Sequence, residues 1–414
     1  MEIESKTTIL DLNMDVLDII FSNFYWEKDK LNFAKAHKHL SAAFVHHSRK
    51  QYKEICTLDT DWPFILEWFG TKVLSLKDES YQYDNFNQTN QMLELAAKYC
   101  PNVEAIEFLI SEENMMIIEN NLEKLKNLNY VILNGKPPSI NIKNIFEILK
   151  QLPKLRRIAV YNWSISYLAP MNNLEYIEHL EFSDLDEDDI SVLSNLWKNL
   201  KCLRTHAYPS TLNLLAKHCT QLEYLRLWAY NDCEKSMFPY FPKLKRLKIF
   251  SCDEYNDNGA YFQTLHGKYN SQLETLEFPK GYIDTAKTAK RIAKLKAVKT
   301  LCCQYMESRC IRYIARMPLE KLIMHKLEEN DLLILLRECK TLRLLHLDRL
   351  KLEKDSLYTL LDILKSNGFQ PENPFVLCLD CKQLRASIIQ KLTLCSNRTL
   401  LDIQEASFNL SCRY

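Results

Sequence analysis

Leu332–Leu347 reads LLILLRECKTLRLLHL, and its two halves obey different periods. Leu332, Leu335, Leu336 and Cys339 fall at i, i+3, i+4 and i+7, which is one face of a helix. Leu342, Leu345 and Leu347 follow as x-x-L-x-x-L-x-L, ending in the alternation of a short strand. Two other stretches align with this one without a gap. They are Leu93–Phe108, LELAAKYCPNVEAIEF, and Leu212–Leu227, LNLLAKHCTQLEYLRL, with Cys100 and Cys219 at the place of Cys339.

The unit also recurs with the cysteine replaced. Ile145, Ile148, Leu149 and Leu152 lead into Leu155, Ile158 and Val160, and Leu193, Leu196, Trp197 and Leu200 lead into Leu203. Strand signatures follow at Leu128-Val131-Leu133, Ile177-Leu180-Phe182, Leu244-Leu247-Ile249, Leu273-Leu276-Phe278, Val298-Leu301-Cys303 and Leu319-Leu322-Met324. One helix and one strand per roughly 20–29 residues is a repeat period, not a globular pattern. A single such unit cannot bury its apolar face, whereas stacked units share one core, and the helix supplies the crossover that parallel strands need. The pattern resembles the cysteine-containing subclass of leucine-rich repeats, C-x-x-L-x-x-L-x-L. That resemblance implies an α/β fold, a right-handed horseshoe solenoid of about 12 repeats. Beyond Leu347 the register weakens, Pro371 and Pro374 interrupt it, and residues 376–379 and 400–403 read as weaker strands of an irregular C-terminal cap.

Residues 9–47 do not follow the repeat. In Leu12–Phe24, LNMDVLDIIFSNF, the residues Leu17, Ile20, Phe21 and Phe24 share a helical face, Val16 joins its edge, and Asn13 can cap the start. A charged break at Glu27–Lys30 precedes a second helical pattern over Leu31–Phe44. So small a module carries more apolar surface than it can cover, which suits docking. This stretch resembles an F-box, with Leu12, Val16, Leu17, Ile20, Phe21 and Phe24 on the family's apolar positions. Asn13 stands where the family has proline, and that bears on adaptor affinity. The resemblance implies a division into an F-box-like module (1–50), a connecting segment (51–72) and a repeat domain (73–414). It further implies that a Skp-type adaptor binds Leu12, Asn13, Val16, Leu17, Ile20, Phe21 and Phe24. Through that adaptor the chain would join cullin and RING subunits as the substrate receptor of a ubiquitin ligase, with catalysis by proximity and no catalytic residue of its own. The alternative is a leucine-rich-repeat scaffold or regulator whose first helices only cap the array.

In L-x-x-L-x-L strands the leucines point inward and the residues between them face the open side. The exposed candidates are Arg157, Ala159 and Tyr161, then Tyr224, Arg226 and Trp228, then Arg246, Lys248 and Phe250. Aromatic residues and arginine dominate binding hot spots. The expected protein-substrate surface is therefore Tyr161, Tyr224, Arg226, Trp228, Arg246, Lys248 and Phe250, unless neighbouring segments cover the aromatics. Its cations suit an acidic or phosphorylated ligand. The acidic positions Glu107, Glu181 and Glu277 fall in other repeats.

Other chemistries are poorly supported. With 6 glycines in 414 residues, neither a phosphate-cradling loop nor a dinucleotide fingerprint appears. Cys378-x-x-Cys381 lacks a second ligand pair for zinc, Cys302 and Cys303 read as one inward and one outward strand residue, and His46-His47 reads as a solvated helix end. Cys100, Cys219 and Cys339 read as small buried residues closing their helices. No cofactor or metal is expected. A net charge of +1 and the alternation of Lys243–Lys248 with leucines argue against nucleic acid. The acidic N-terminus MEIESKTTIL and the lack of an apolar run near 18 residues predict no signal peptide or membrane span, and the thiols suit the cytoplasm and/or nucleus.

Overall fold

The computed structural model describes residues 8–59, 61–79, 86–135, 143–163, 168–229, 238–251, 259–350 and 352–405. They divide into two compact bodies, 1–183 and 184–414.

The first body opens with three short helices, α1 (Met14–Asn23), α2 (Glu27–Lys35) and α3 (Lys38–His47). Asn13 caps α1 as its sequence promises, its side chain accepting from the Val16 N–H at 2.9 Å. The expected single helix over Leu31–Phe44 is in fact two. The charged break at Glu27–Lys30 is the first turn of α2, where acidic Glu27 and Asp29 complement the helix dipole. The chain then turns at Ala36–His37, and the extended His37 caps α3 through its imidazole. Leu17, Phe21, Leu31, Ala34, Leu40 and Phe44 are buried and form the module's centre.

After the helices come β1 (Glu54–Cys56), α4 (Trp62–Phe69), β2 (Ser75–Lys77), α5 (Phe86–Tyr99), β3 (Ala105–Leu109), α6 (Met115–Leu122), β4 (Tyr130–Asn134), α7 (Lys143–Lys150), β5 (Arg157–Val160) and β6 (His179–Leu185). Strands β1 to β6 pair in sequence order, each parallel to the next. The sheet thus starts within 51–72, the stretch read as a connecting segment. A three-residue strand there leaves too short an alternation to notice. Register aligns Ile55, Leu76, Ile106, Val131, Ile158 and Leu180 in one row, all buried. Each such side chain contributes about 1.5–3 kcal/mol relative to exposure. The helical module packs on α4: Phe44 meets Phe69 edge-on at 5.5 Å, and Tyr52 lies 4.8 Å from Phe69 and 6.0 Å from Phe44.

The second body contains α8 (Glu187–Val192), β7 (Cys202–Ala207), α9 (Pro209–His218), β8 (Tyr224–Ala229), β9 (Arg246–Ser251), α10 (Gly259–Lys268), β10 (Thr275–Ile283), α11 (Ala286–Ile292) and β11 (Thr300–Met306). It continues with α12 (Ser308–Ile314), β12 (Lys321–Lys326), α13 (Glu329–Glu338), β13 (Leu344–Arg349), α14 (Lys354–Ser366), β14 (Phe375–Leu379), α15 (Lys382–Leu392) and β15 (Leu401–Glu405). All these strands are parallel and sequential. Leu203, Leu225, Leu247, Leu276, Leu301, Leu322, Leu345 and Leu377 stand in register along a buried row. The repeats are leucine-rich in sequence and in packing, and both bodies are α/β stacks of that type.

Three expectations change here. The helix over Leu193–Leu200 is a 3-10 turn, Leu196–Asn199, tied down by the buried Trp197 indole, whose N–H donates to the Ile190 carbonyl at 2.9 Å. The C-terminal repeats are regular, since β14 and β15 continue the parallel register through Val376↔Asp402 and Leu377↔Ile403. Pro371 sits in the turn closed by the Gln370–Asn373 bridge, after Gly368 adopts φ 81°, and Pro374 stands between that bridge and β14, so they interrupt a connection and not a strand. Cys302 does not face outward into solvent; it is as buried as Cys303. Its cross-strand neighbours are Glu277 and Ile323, both longer side chains than the thiol.

Cys100, Cys219 and Cys339 close their helices as expected and are buried. The Cys339 thiol donates to the Met317 carbonyl at 3.3 Å, joining one repeat to the preceding one. No helix among the described residues is long and apolar enough to cross a membrane.

Candidate binding surface

Strands β7, β8 and β9 carry three cross-strand rows on the side opposite their buried leucines. Register places Cys202, Tyr224 and Arg246 in one row, Arg204, Arg226 and Lys248 in the next, and His206, Trp228 and Phe250 in the third. The period of two that sends Leu225 and Leu227 inward sends Tyr224, Arg226 and Trp228 the other way. Parallel pairing without a shift then brings like positions of successive repeats side by side.

The rows interlock. Trp228 stacks on Phe250 with centroids 5.1 Å apart and planes at 14°, and His206 lies 5.0 Å from Trp228 on its other flank. The Arg226 guanidinium carbon sits 4.5 Å from the Trp228 centroid and 4.8 Å from that of Phe250. Lys248 Nζ lies 5.0 Å from the Phe250 centroid, and Arg246 lies over Tyr224 at 5.5 Å. These are cation–π distances. Burial keeps the His206 imidazole below its ordinary pKa although Asp184 stands 3.4 Å from its Nδ1. Burial likewise raises the Tyr224 phenol, with Glu277 adding to the shift.

This geometry corrects the expected surface in two respects. Arg226, Lys248 and Phe250 are buried, leaving Arg246 exposed and Tyr224 and Trp228 half-buried. Packing of large rings on adjacent strands covers the positions beneath them. Second, Glu277 falls in another repeat, as expected, but that repeat is the adjoining one. It lies directly opposite Lys248 on β10 and pairs with it at 3.3 Å. The lysine run Lys243–Lys248 is divided accordingly: Lys245 pairs with Glu223 at 3.6 Å, and Lys248 points to Glu277. His206 is the member that sequence reading missed, although its alternation with Leu203 and Thr205 carries the signal.

Tyr161 belongs to the first body, after β5. Its N–H donates to the Leu133 carbonyl at 3.0 Å, and burial, then Glu181, push its phenol above the ordinary range. Ala159 is fully buried, while Arg157 lies 4.3 Å over Tyr130.

The residues proposed for an adaptor separate by exposure. Leu17 and Phe21 are fully buried, Phe21 among Phe33, Phe44 and His47 at 5.3–5.6 Å, so they hold the module together and offer no surface. His47 is correspondingly not a solvated helix end: its Nδ1 lies 2.7 Å from Asp18. Leu12, Ile20 and Phe24 are half-buried, and Asn13 and Val16 are exposed. The free apolar surface instead comprises Ile9, Leu10, Val16, Ile19, Tyr25 and Trp26, with Ile19 at 63% and Trp26 at 66% exposure. Val16 and Ile19 are one turn apart on α1.

One further cluster was not legible in sequence. His346, Asp348 and Asp380 bring one ligand atom each within 4.8 Å of one another, a donor set compatible with a divalent cation. His346 Nε2 is 2.9 Å from Asp380, and His325 Nδ1 is 2.5 Å from Asp348, so hydrogen bonding alone also accounts for the arrangement. Neither Cys378 nor Cys381 belongs to it. A cavity of about 620 Å³ nearby is lined by Asp348, Arg349, Cys381 and Lys391 among others.

No family model matches this chain, and no curated protein does. Among solved structures, an internalin (inlF) from Listeria monocytogenes is 17% identical at TM-score 0.35, covering 64% of this chain and 80% of its own. The TLR13–ssRNA13 complex is 16% identical at TM-score 0.35, covering 74% of this chain and 42% of the other. Internalin C2 from the same bacterium is 14% identical at TM-score 0.20, over 55% and 74%.

Proposed function

We propose that the chain is a non-catalytic protein-binding receptor, holding a protein ligand on the open face of β7–β9 and a second protein through its N-terminal helices. The finer reading is substrate recruitment for a cullin–RING ubiquitin ligase. A Skp-type adaptor would dock on the exposed apolar side of α1 and its flanks, and the repeats would carry the substrate. The observation that carries it is the separation of apolar residues within a module of about forty residues. Leu17 and Phe21 complete its own core, while Val16, Ile19, Tyr25 and Trp26 remain outside it. Exposed apolar residues gathered on one small module mark a contact surface. Phe44, Tyr52 and Phe69 fix the module on the first repeat, so a partner held there would be held at a defined place on the first body.

Those same Phe44–Phe69 contacts favour a second reading, in which the helices cap the array and the repeats act as a scaffold without a ligase link. Mixing the full chain with a Skp-type adaptor, cullin and RING subunit separates the two. A stoichiometric complex supports the receptor, and failure to retain the adaptor supports the scaffold.

A further inference from the structure

Arg226 is a charged residue with only 6% of its surface exposed. Its Nε is sealed from solvent and has no hydrogen-bond acceptor. Among the described residues it lies between Arg204 and Lys248 in its cross-strand row and over the rings of Trp228 and Phe250, and no carboxylate pairs with it. A buried guanidinium normally has an anion, because desolvating the charge is costly unless it is paired. The rings offset part of that cost. They leave the Nε–H without an oxygen or nitrogen acceptor. The neighbouring cations are differently placed: Lys248 pairs with Glu277, Lys245 pairs with Glu223, and Arg246 is exposed over Tyr224.

We infer that Arg226 anchors one anionic group, a phosphoryl or a carboxylate, borne by a side chain of the protein ligand that occupies the open face of β7–β9. This rests on the reading of that face as a ligand surface and names what the ligand must carry. A guanidinium fork matches both oxyanions bidentately. The stacked Trp228–Phe250 pair fixes the fork before binding, so little ordering remains to be done on association. A buried fork whose lysine neighbours Lys245 and Lys248 already pair with carboxylates fits one anion on a peptide better than a nucleic-acid backbone, whose binding requires many phosphates to be neutralised together.

The test uses the full chain and fluorescence anisotropy. The probes are three degenerate peptide libraries differing only in a central phosphoserine, glutamate or serine, together with a single-stranded oligonucleotide. At least one anionic library is expected to bind about tenfold or more tighter than the serine library. The phosphoserine and glutamate arms tell phosphoryl from carboxylate. Arg226→Gln should erase the ratio. Arg226→Lys, which keeps the charge but loses the fork, should retain part of it and serves if the glutamine variant melts early. Equal binding of the three libraries, absence of binding by any anionic peptide, a ratio that survives Arg226→Gln, or binding of the oligonucleotide alone would each overturn the inference. If all libraries bind equally and Trp228→Ala abolishes that binding, the ligand face stands and only the anion anchor is lost. If Trp228→Ala changes nothing, both fall.

Discussion

Trp228 and Phe250, 22 residues apart in sequence, stack face to face at 5.1 Å because β8 and β9, the strands of successive repeats, pair in register. A double-mutant cycle with Trp228→Leu and Phe250→Leu should give a coupling of about 0.5–1.5 kcal/mol, the range for aromatic pairs. Urea melts of the four proteins measure it. Additive effects would mean that the rings do not stack in solution.

Burial divides the α1 residues by consequence. Leu17→Asp places a carboxylate at a fully buried site and should cost several kcal/mol, unfolding the helical module. Ile19→Asp, at an exposed site, should stay within about 0.5 kcal/mol of the parent. Circular dichroism melts of the two variants check the ordering.

Tyr269 ties two repeats together. Its buried hydroxyl donates to the Pro239 carbonyl at 2.6 Å and accepts from the Phe241 N–H at 2.7 Å. Tyr269→Phe leaves both backbone groups unpaired and should cost about 1–3 kcal/mol. A change below 0.5 kcal/mol in a denaturant melt would contradict the bonded arrangement.

The buried thiols set a pH dependence. Burial pushes Cys100 and Cys303 up to about 12 from an ordinary 9.0, and raises Cys219 in the same direction. The native state therefore keeps protons that the unfolded chain releases. Stability from these groups is complete below pH 9 and declines as pH rises from 9 toward about 12. Denaturant melts at pH 8, 9 and 10 should show the fall, lessened in a Cys100→Ala, Cys303→Ala variant. Alkylation at pH 8 followed by mass spectrometry should leave Cys100, Cys219 and Cys303 unmodified in the native protein.

The repeat stack was legible because its determinants are local: leucines at helical spacing followed by leucines at strand spacing mark one unit. Even the weak signals at Val376–Leu379 and Leu400–Ile403 proved to hold strands in register, the second from Leu401 onward. What escaped reading depends on neighbours far along the chain. A three-residue strand such as β1 has too short a pattern to stand out. The split between α2 and α3 turns on the His37 cap rather than on hydrophobic periodicity. Alternation correctly placed Arg226 and Lys248 on the face opposite the leucines. It could not show that Trp228 and Phe250 would close over Arg226, or that Glu277 would arrive opposite Lys248, since both follow from cross-strand register. Similarly, helical spacing put Leu17 and Val16 on adjoining edges of α1, but only the packing of α2 and α3 decides which one is left outside.

The affinity of the full chain for a purified Skp-type adaptor, compared with that of the Ile19→Asp variant, tests the receptor account most directly. A receptor of this kind binds saturably as the parent chain and loses at least tenfold in the variant, about 1.4 kcal/mol, with an unchanged melting temperature. Absence of binding by the parent, or equal binding by a folded Ile19→Asp variant, would contradict it.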